Sequence, residues 1–397
     1  MLSNYLNKNP KLSLLCINII FLLFIFFVGE CVLRINTPFW LENRMTTFLI
    51  KNNYKADKNS DKPLKNIILT NEKNKFISYA PYSKTKLSHF EYENTINIDK
   101  YGGRKTSSEQ QIFSDSTKKV LFLGDSFTFG VGVEDDEVFC SLLQKDINLK
   151  LLNFGRPGSS LARDIDLLKL LLRDFIKKNK IDKIVFCWFL GNDAADIIKI
   201  GLPKDKQTNH KKITTAVETK SESLMFKINR FIYNNKFFNR SYFIQYIRQK
   251  IINLNKYAIV MDPVFYLFLN KESYIKNFQD LTKIYLKQLR DLSDLHDIKI
   301  NFLLIPDRYQ IYDEKRVTVK EKYSINKNIK LDYLMPNKIL ISLLDEYEFE
   351  FIDPTKCLKK KAEYHKNLYY NNDNHLTKYG HKLYYECIKD ELLIKFK

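Results

Sequence analysis

Residues 119–130 read KVLFLGDSFTFG, and this stretch decides the fold. Val120 to Leu123 are continuously apolar, as in a strand covered on both faces, and Gly124-Asp125 then turns the chain into a new segment. Four more short apolar runs have the same form: KLLNFG at 150–155, KIVFCWFLG at 183–191, IKINFLLIP at 298–306 and FEFIDP at 349–354. Between the second and third, Ile165, Leu168, Leu171, Leu172 and Phe175 recur at helical spacing and predict a helix over Asp164–Lys178. The segment TKIYLKQLRDLSDL at 282–295 predicts another. Short buried strands alternating with helices predict βα units around a parallel sheet.

Upstream, Leu12 to Val28 reads LSLLCINIIFLLFIFFV, an apolar run interrupted only by Ser13 and Asn18, which Cys31 to Ile35 can lengthen. A spanning helix needs about 20 such residues, with ~17 at the lower end. Lys8 and Lys11 precede the run and Glu30 follows it, so the positive-inside rule puts the amino terminus in the cytoplasm and the rest outside. The competing reading is a cleaved signal peptide, but no small-x-small cleavage pattern follows Val28. Cys31 could invite lipid attachment, but Glu30 directly before it departs from the small residues that lipoprotein signals carry.

A chain of 397 residues with 45% hydrophobic content can bury a large core, so one large domain with appendages is expected. The formal charge of +19 comes mostly from Lys scattered beside Asn and Ile, not from an Arg-rich stripe, which argues against nucleic acid as a partner. The same charge suits an anionic membrane surface or acidic polymers. Of six cysteines, Cys140, Cys187, Cys357 and Cys387 lie beyond the apolar run, and no CxxC or metal-ligand spacing occurs. Cys187, inside IVFCWF, reads as a buried free thiol. Residues 37–117 are polar and weakly periodic. Residues 197–270, rich in Lys, Asn and aromatics, interrupt the alternation at a length typical of a helical cap or lid. Aromatics there could line a cleft, although packing onto the body is the blander use.

Ser126 stands where the first strand ends, and open parallel sheets bind ligands at the carboxyl ends of their strands. Taken alone, Gly-Asp-Ser could be a turn with the serine capping a helix. Three further segments follow: Asn153 to Gly158 and Gly191-Asn192-Asp193, each after a predicted strand, and Asp373-Asn374-His375, which precedes Gly380 and the last predicted helix. In an extended segment Asp373 and His375 would project to one side, so the carboxylate can orient the ring that removes the Ser126 proton. Asp193 reads as a structural hydrogen-bond partner. His365 and His381 have no metal-ligand spacing, and neither a phosphate loop nor a dinucleotide fingerprint is present.

These four blocks, in this order, resemble those of the SGNH, or GDSL, hydrolase family, over roughly Lys119 to the end of the chain. Asp and His are separated by one residue here rather than the commoner two. This spacing is similar to that of membrane-anchored and exopolysaccharide-modifying relatives, as is the stretch Asn97 to Arg104 ahead of the first block. The resemblance implies an α/β, three-layer, flavodoxin-like parallel sheet, with an N-terminal transmembrane helix and a helical insertion added. It implies that Ser126 is the nucleophile, His375 the general base and Asp373 its partner. Oxyanion stabilisation falls to the Ser126 and Gly158 backbone N–H groups and the Asn192 side chain. Such donors, aimed where charge develops, each contribute ~3 kcal/mol.

The expected organisation is a cytoplasmic tail (1–11), a transmembrane anchor (12–34), a linker and N-terminal extension (35–117), and a hydrolase-like domain (118–397) with an insertion at about 197–270. The expected function is ester hydrolysis or O-acyl transfer through an acyl-serine intermediate, on acyl esters (acetyl foremost) of cell-surface carbohydrate, without metal or cofactor. The other reading is a non-catalytic carbohydrate-binding or assembly protein that retains the fold. Intact Ser126, Asn192 and His375 weigh against it, because a pure binder tolerates their loss.

Overall fold

The computed structural model describes residues 10–35, 67–70, 76–89, 91–106, 117–201, 241–247, 264–315, 330–371 and 373–396. Two short antiparallel pairs come first: β1 (Ile68–Thr70) with β2 (Phe76–Tyr79), then the hairpin of β3 (Lys84–His89) and β4 (Tyr92–Asn97). Five parallel strands follow: β5 (Lys119–Gly124), β6 (Lys150–Asn153), β7 (Ile181–Phe189), β8 (Lys299–Ile305) and β9 (Glu350–Ile352). They are the five apolar runs of the sequence, in the spatial order β6-β5-β7-β8-β9. Numbered among themselves this is 2-1-3-4-5, the flavodoxin-like order, whose switch point lies between the first and third strands. The end of β5, and with it Ser126, therefore opens on the crevice where this topology binds ligands.

Helices cover both faces of the sheet, which is why β5 is buried along its whole length. On one face Glu272–His296 packs against Leu161–Leu171, Asn192–Gly201 and Met335–Glu346. On the other, Lys378–Phe396 packs against Phe139–Gln144 and Thr355–Ala362, and a disulfide between Cys357 and Cys387 ties the last two of these elements in sequence together. Cys187 is a buried free thiol, and Cys140 is another. The helix expected over Asp164–Lys178 is two helices. Leu161–Leu171 starts after Ser160, and a separate turn, Phe175–Lys178, follows a break at which Phe175 reaches the ring of Phe154 and Ile176 turns into the core.

The region expected as linker and extension contains the two antiparallel pairs. Their alternation escapes notice in the sequence because several inward positions are polar, Thr85 and Asn94 among them. After β4, the Asp99 carboxylate accepts the Tyr101 and Gly103 N–H groups and turns the chain so that Arg104 enters the interior. Arg104 is wholly buried. Its Nε pairs with Asp135 at 2.8 Å, Nη1 donates to the carbonyls of Phe129 and Gly130, and Nη2 to that of Val133. A buried guanidinium needs this many acceptors to offset its lost hydration. The segment thereby shapes the loop that follows Ser126.

The chain divides into two compact units, and the described part of the first holds an apolar helix, Pro10–Ile35, and residues 241–247. Leu14–Ile35 is long and apolar enough to cross a membrane. Near its end the Glu30 carboxylate accepts the N–H groups of Tyr242 and Phe243 and the Ser241 hydroxyl, so it caps the short helix that begins there. Most of the expected insertion lies outside the described residues.

Replacing Arg104 by Ala would strip Asp135 and three carbonyls of a partner, an expected loss of about 3 kcal/mol or more. A melting temperature within about a degree of wild type would contradict this account of the loop.

Candidate active site

Ser126 is the first residue of the helical turn Ser126–Phe129. The capping role that a serine could have taken belongs to Asp125, whose side chain accepts the Phe127 N–H at 2.9 Å. The Ser126 hydroxyl lies 2.7 Å from His375 Nε2, within hydrogen-bond reach. Gly124 makes the turn possible: a Cβ there would stand 2.3 Å from Thr128 Oγ1 and 2.7 Å from the Cys187 carbonyl oxygen.

On the far side of the ring, His375 Nδ1 meets Asp373 Oδ1 in a short hydrogen bond, and the His375 backbone N–H donates to the same oxygen at 2.8 Å. Asp373 thus reaches His375 through a turn rather than from an extended segment, as a carboxylate two residues back often does. Burial alone would raise the Asp373 pKa. The hydrogen bonds and charge of His375, with the Tyr92 hydroxyl, override it and hold the carboxyl at about 2. Phe127 flanks the imidazole, ring centroids 5.0 Å apart, and is itself stacked on Phe189 at 3.9 Å. The loop is closed by a bridge between Tyr369 and Leu376 and by the Tyr370 N–H donating to the His375 carbonyl. Asn374 adds a bond to Asp307 at 3.1 Å, fixing the loop to the end of β8.

The other blocks stand at the neighbouring strand ends. Asn153 closes β6; its amide donates to the Thr128 carbonyl at 2.7 Å and its Oδ1 accepts the Gly155 N–H, which joins this loop to the serine turn. Gly158 has φ +76°, and the space where its Cβ would stand is open for 4 Å. Asn192 begins the helix after β7, and its side chain lies outside the described residues. Asp193 is buried and accepts the Phe189 N–H at 3.1 Å; burial and the nearby Asp125 and Asp164 push its carboxyl well up. His381 is buried, accepts the Phe139 N–H, and is held neutral by burial, its pKa lowered to about 3. His365 meets the Tyr379 hydroxyl.

Sequence reasoning missed Tyr92 and Glu91. Tyr92 donates to Asp373 Oδ2 at 3.2 Å, and Glu91 accepts the N–H of Asp373 at 2.8 Å and of Asn371 at 3.0 Å. These contacts span 280 to 282 positions of sequence, from a region without evident helical or strand periodicity, and nothing local marked the two residues.

No family model and no curated protein matches the chain. Among solved structures it is similar to a member of the lipolytic protein G-D-S-L family from Veillonella parvula, at 11% identity and TM-score 0.34, covering 69% of this chain and 97% of that one. A psychrotrophic esterase, EstA from Pseudoalteromonas sp., is similar at 11% identity and TM-score 0.35, over 70% of this chain and 98% of the other. The acetylxylan esterase Axe2 from Geobacillus stearothermophilus is similar at 12% identity and TM-score 0.34, over 69% and 93%.

The lowered Asp373 pKa makes a prediction about acid. The unfolded carboxyl binds its proton near 3.8 and the folded one near 2, so between these values the unfolded state holds more protons and stability rises with pH. The stability due to the ionised group is complete above about pH 5 and lost as pH falls through about 2. The difference in melting temperature between wild type and Asp373→Asn should therefore narrow across that window, and a difference that stays constant would contradict it. At the carboxyl end of the sheet the chain sets Ser126, His375 and Asp373 in one hydrogen-bonded row.

Proposed function

We propose that this chain is a membrane-anchored serine ester hydrolase or O-acyltransferase. One observation carries the reading: a serine hydroxyl at a strand end shares a 2.7 Å contact with an imidazole whose other nitrogen rests on a carboxylate. Turns and helix caps have no use for such a row, whereas acyl transfer through a serine uses every part of it. In the proposed cycle the Ser126 oxygen adds to the ester carbonyl while its proton passes to His375 Nε2. Charge gathers on the former carbonyl oxygen, where the Ser126 and Gly158 N–H groups and the Asn192 side chain are the proposed donors. Asp373 stays ionised and stabilises the imidazolium.

Collapse of the tetrahedral intermediate breaks the bond to the alcohol, which leaves with the His375 proton, and the acyl group remains on Ser126. Water or a sugar hydroxyl then gives its proton to His375 and attacks the acyl-serine, and the second collapse returns the proton to Ser126. The first acceptor makes an esterase and the second a transferase, with the same residues in the same roles. Acetyl esters of cell-surface carbohydrate are the proposed substrate. The reading of an exported domain is supported by the apolar helix, by Lys8 and Lys11 ahead of its apolar run, and by the Cys357–Cys387 disulfide, which suits an oxidising compartment.

Ser126→Ala should abolish cleavage of an aryl acetate and labelling by a fluorophosphonate, and His375→Ala should fall close to it. Asp373→Asn should lose on the order of a hundredfold or more at neutral pH and recover part of it at high pH, where hydroxide assists. Equal labelling of the Ser126→Ala variant would sink the assignment. Alkaline phosphatase fused after Ile35 should be active, and an inactive fusion would reverse the topology.

A further inference from the structure

We infer that the β3–β4 hairpin is a working part of this active site, with Tyr92 and Glu91 as positioning residues that aim Asp373, and through it His375, at the serine. The inference rests on the serine reading above. Both oxygens of the Asp373 carboxylate are engaged, and from opposite partners: Oδ1 accepts the His375 ring and backbone N–H groups, whereas Oδ2 accepts the Tyr92 hydroxyl at 3.2 Å. A carboxylate held at one oxygen alone can swing about its Cβ–Cγ bond. Held at both, it fixes the plane in which the imidazole must lie. Glu91 holds the backbone beneath it, one carboxylate oxygen on the Asn371 N–H and the other on the Asp373 N–H.

The same hairpin grips the loop after Ser126. The Thr95 N–H donates to the Glu134 carboxylate at 3.0 Å, and Asn97 donates to Asp135 from its backbone at 3.0 Å and its side chain at 2.7 Å. Tyr92 also packs on Tyr370, ring centroids 4.9 Å apart, and the Tyr370 hydroxyl donates to the Gly132 carbonyl at 2.6 Å. One two-stranded element therefore bonds both to the segment that follows the serine and to the segment that carries the histidine. Packing alone would be served by the Tyr92 ring. The hydroxyl adds nothing to that packing and is spent on the carboxylate.

Tyr92→Phe keeps the ring and removes only the hydroxyl. In the full chain in detergent, it should lower kcat for an aryl acetate about tenfold, the scale of one hydrogen bond to a charged group, with KM within about twofold. Fluorophosphonate labelling, which reads activation of the serine with no dependence on the natural substrate, should slow to match. In an Asp373→Asn background the same change should cost less than about twofold, because the carboxylate through which it acts is gone. Glu91→Gln, which keeps one acceptor for the two N–H groups, should give a smaller loss of kcat than Glu91→Ala. An unchanged kcat in Tyr92→Phe, or a full loss that persists in the Asp373→Asn background, overturns the inference. Ser126→Ala measured alongside separates the two readings: hydrolysis at the wild-type rate there would overturn the serine mechanism itself, whereas an inactive Ser126→Ala beside a fully active Tyr92→Phe would overturn only the role given to Tyr92.

Discussion

The guanidinium of Arg104 lies entirely out of water, and much of the architecture around the site answers the demand this creates. A charge so placed must be met by an opposite charge and by enough acceptors to replace its hydration. Asp135 and the carbonyls of Phe129, Gly130 and Val133 meet it, which means the chain after Ser126 has to wrap around this one side chain. Asp135 in turn accepts from Asn97, so the wrapped loop and the hairpin are set by the same carboxylate. The geometry of the segment after the serine thus follows from a residue that touches neither Ser126 nor His375.

Division of labour among neighbouring side chains completes the arrangement. Asp125 satisfies the N–H at the start of the helical turn and leaves the Ser126 hydroxyl to His375. Asn153 ties the loop of Gly158 to the same turn, and Phe127, anchored on Phe189, supplies an apolar wall for the imidazole. Each group is fixed by a second contact before it makes the contact that matters for chemistry, the condition for a preorganised site.

The parallel sheet was legible in the sequence because strands covered on both faces must be apolar throughout, and KVLFLG and KIVFCWFLG are unlike anything around them. That Ser126 and His375 would come together was legible because a glycine-rich turn follows the first strand and an Asp-x-His segment precedes the helix Lys378–Phe396. The antiparallel strands ahead of the sheet were not, since Thr85 and Asn94 occupy inward positions where a pattern reader looks for Val or Leu. The single helix read over Asp164–Lys178 failed for a different reason: its apolar spacing runs on across a break, after which Phe175 packs against Phe154. Tyr92 and Glu91 act at a distance along the chain that no local pattern spans.

That distance has a bearing on how the protein is made. Tyr92 and Asp373 are separated by 281 positions, with the whole parallel sheet between them, and the last helix is fastened by Cys387 still further on. A ribosome delivers the hairpin and the serine well before the imidazole. Until that loop arrives and docks, the Ser126 hydroxyl has no imidazole beside it. Contacts of such long range also form slowly, because the loop they close is long. On the proposed serine mechanism, activity would switch on only after the rest of the domain was in place.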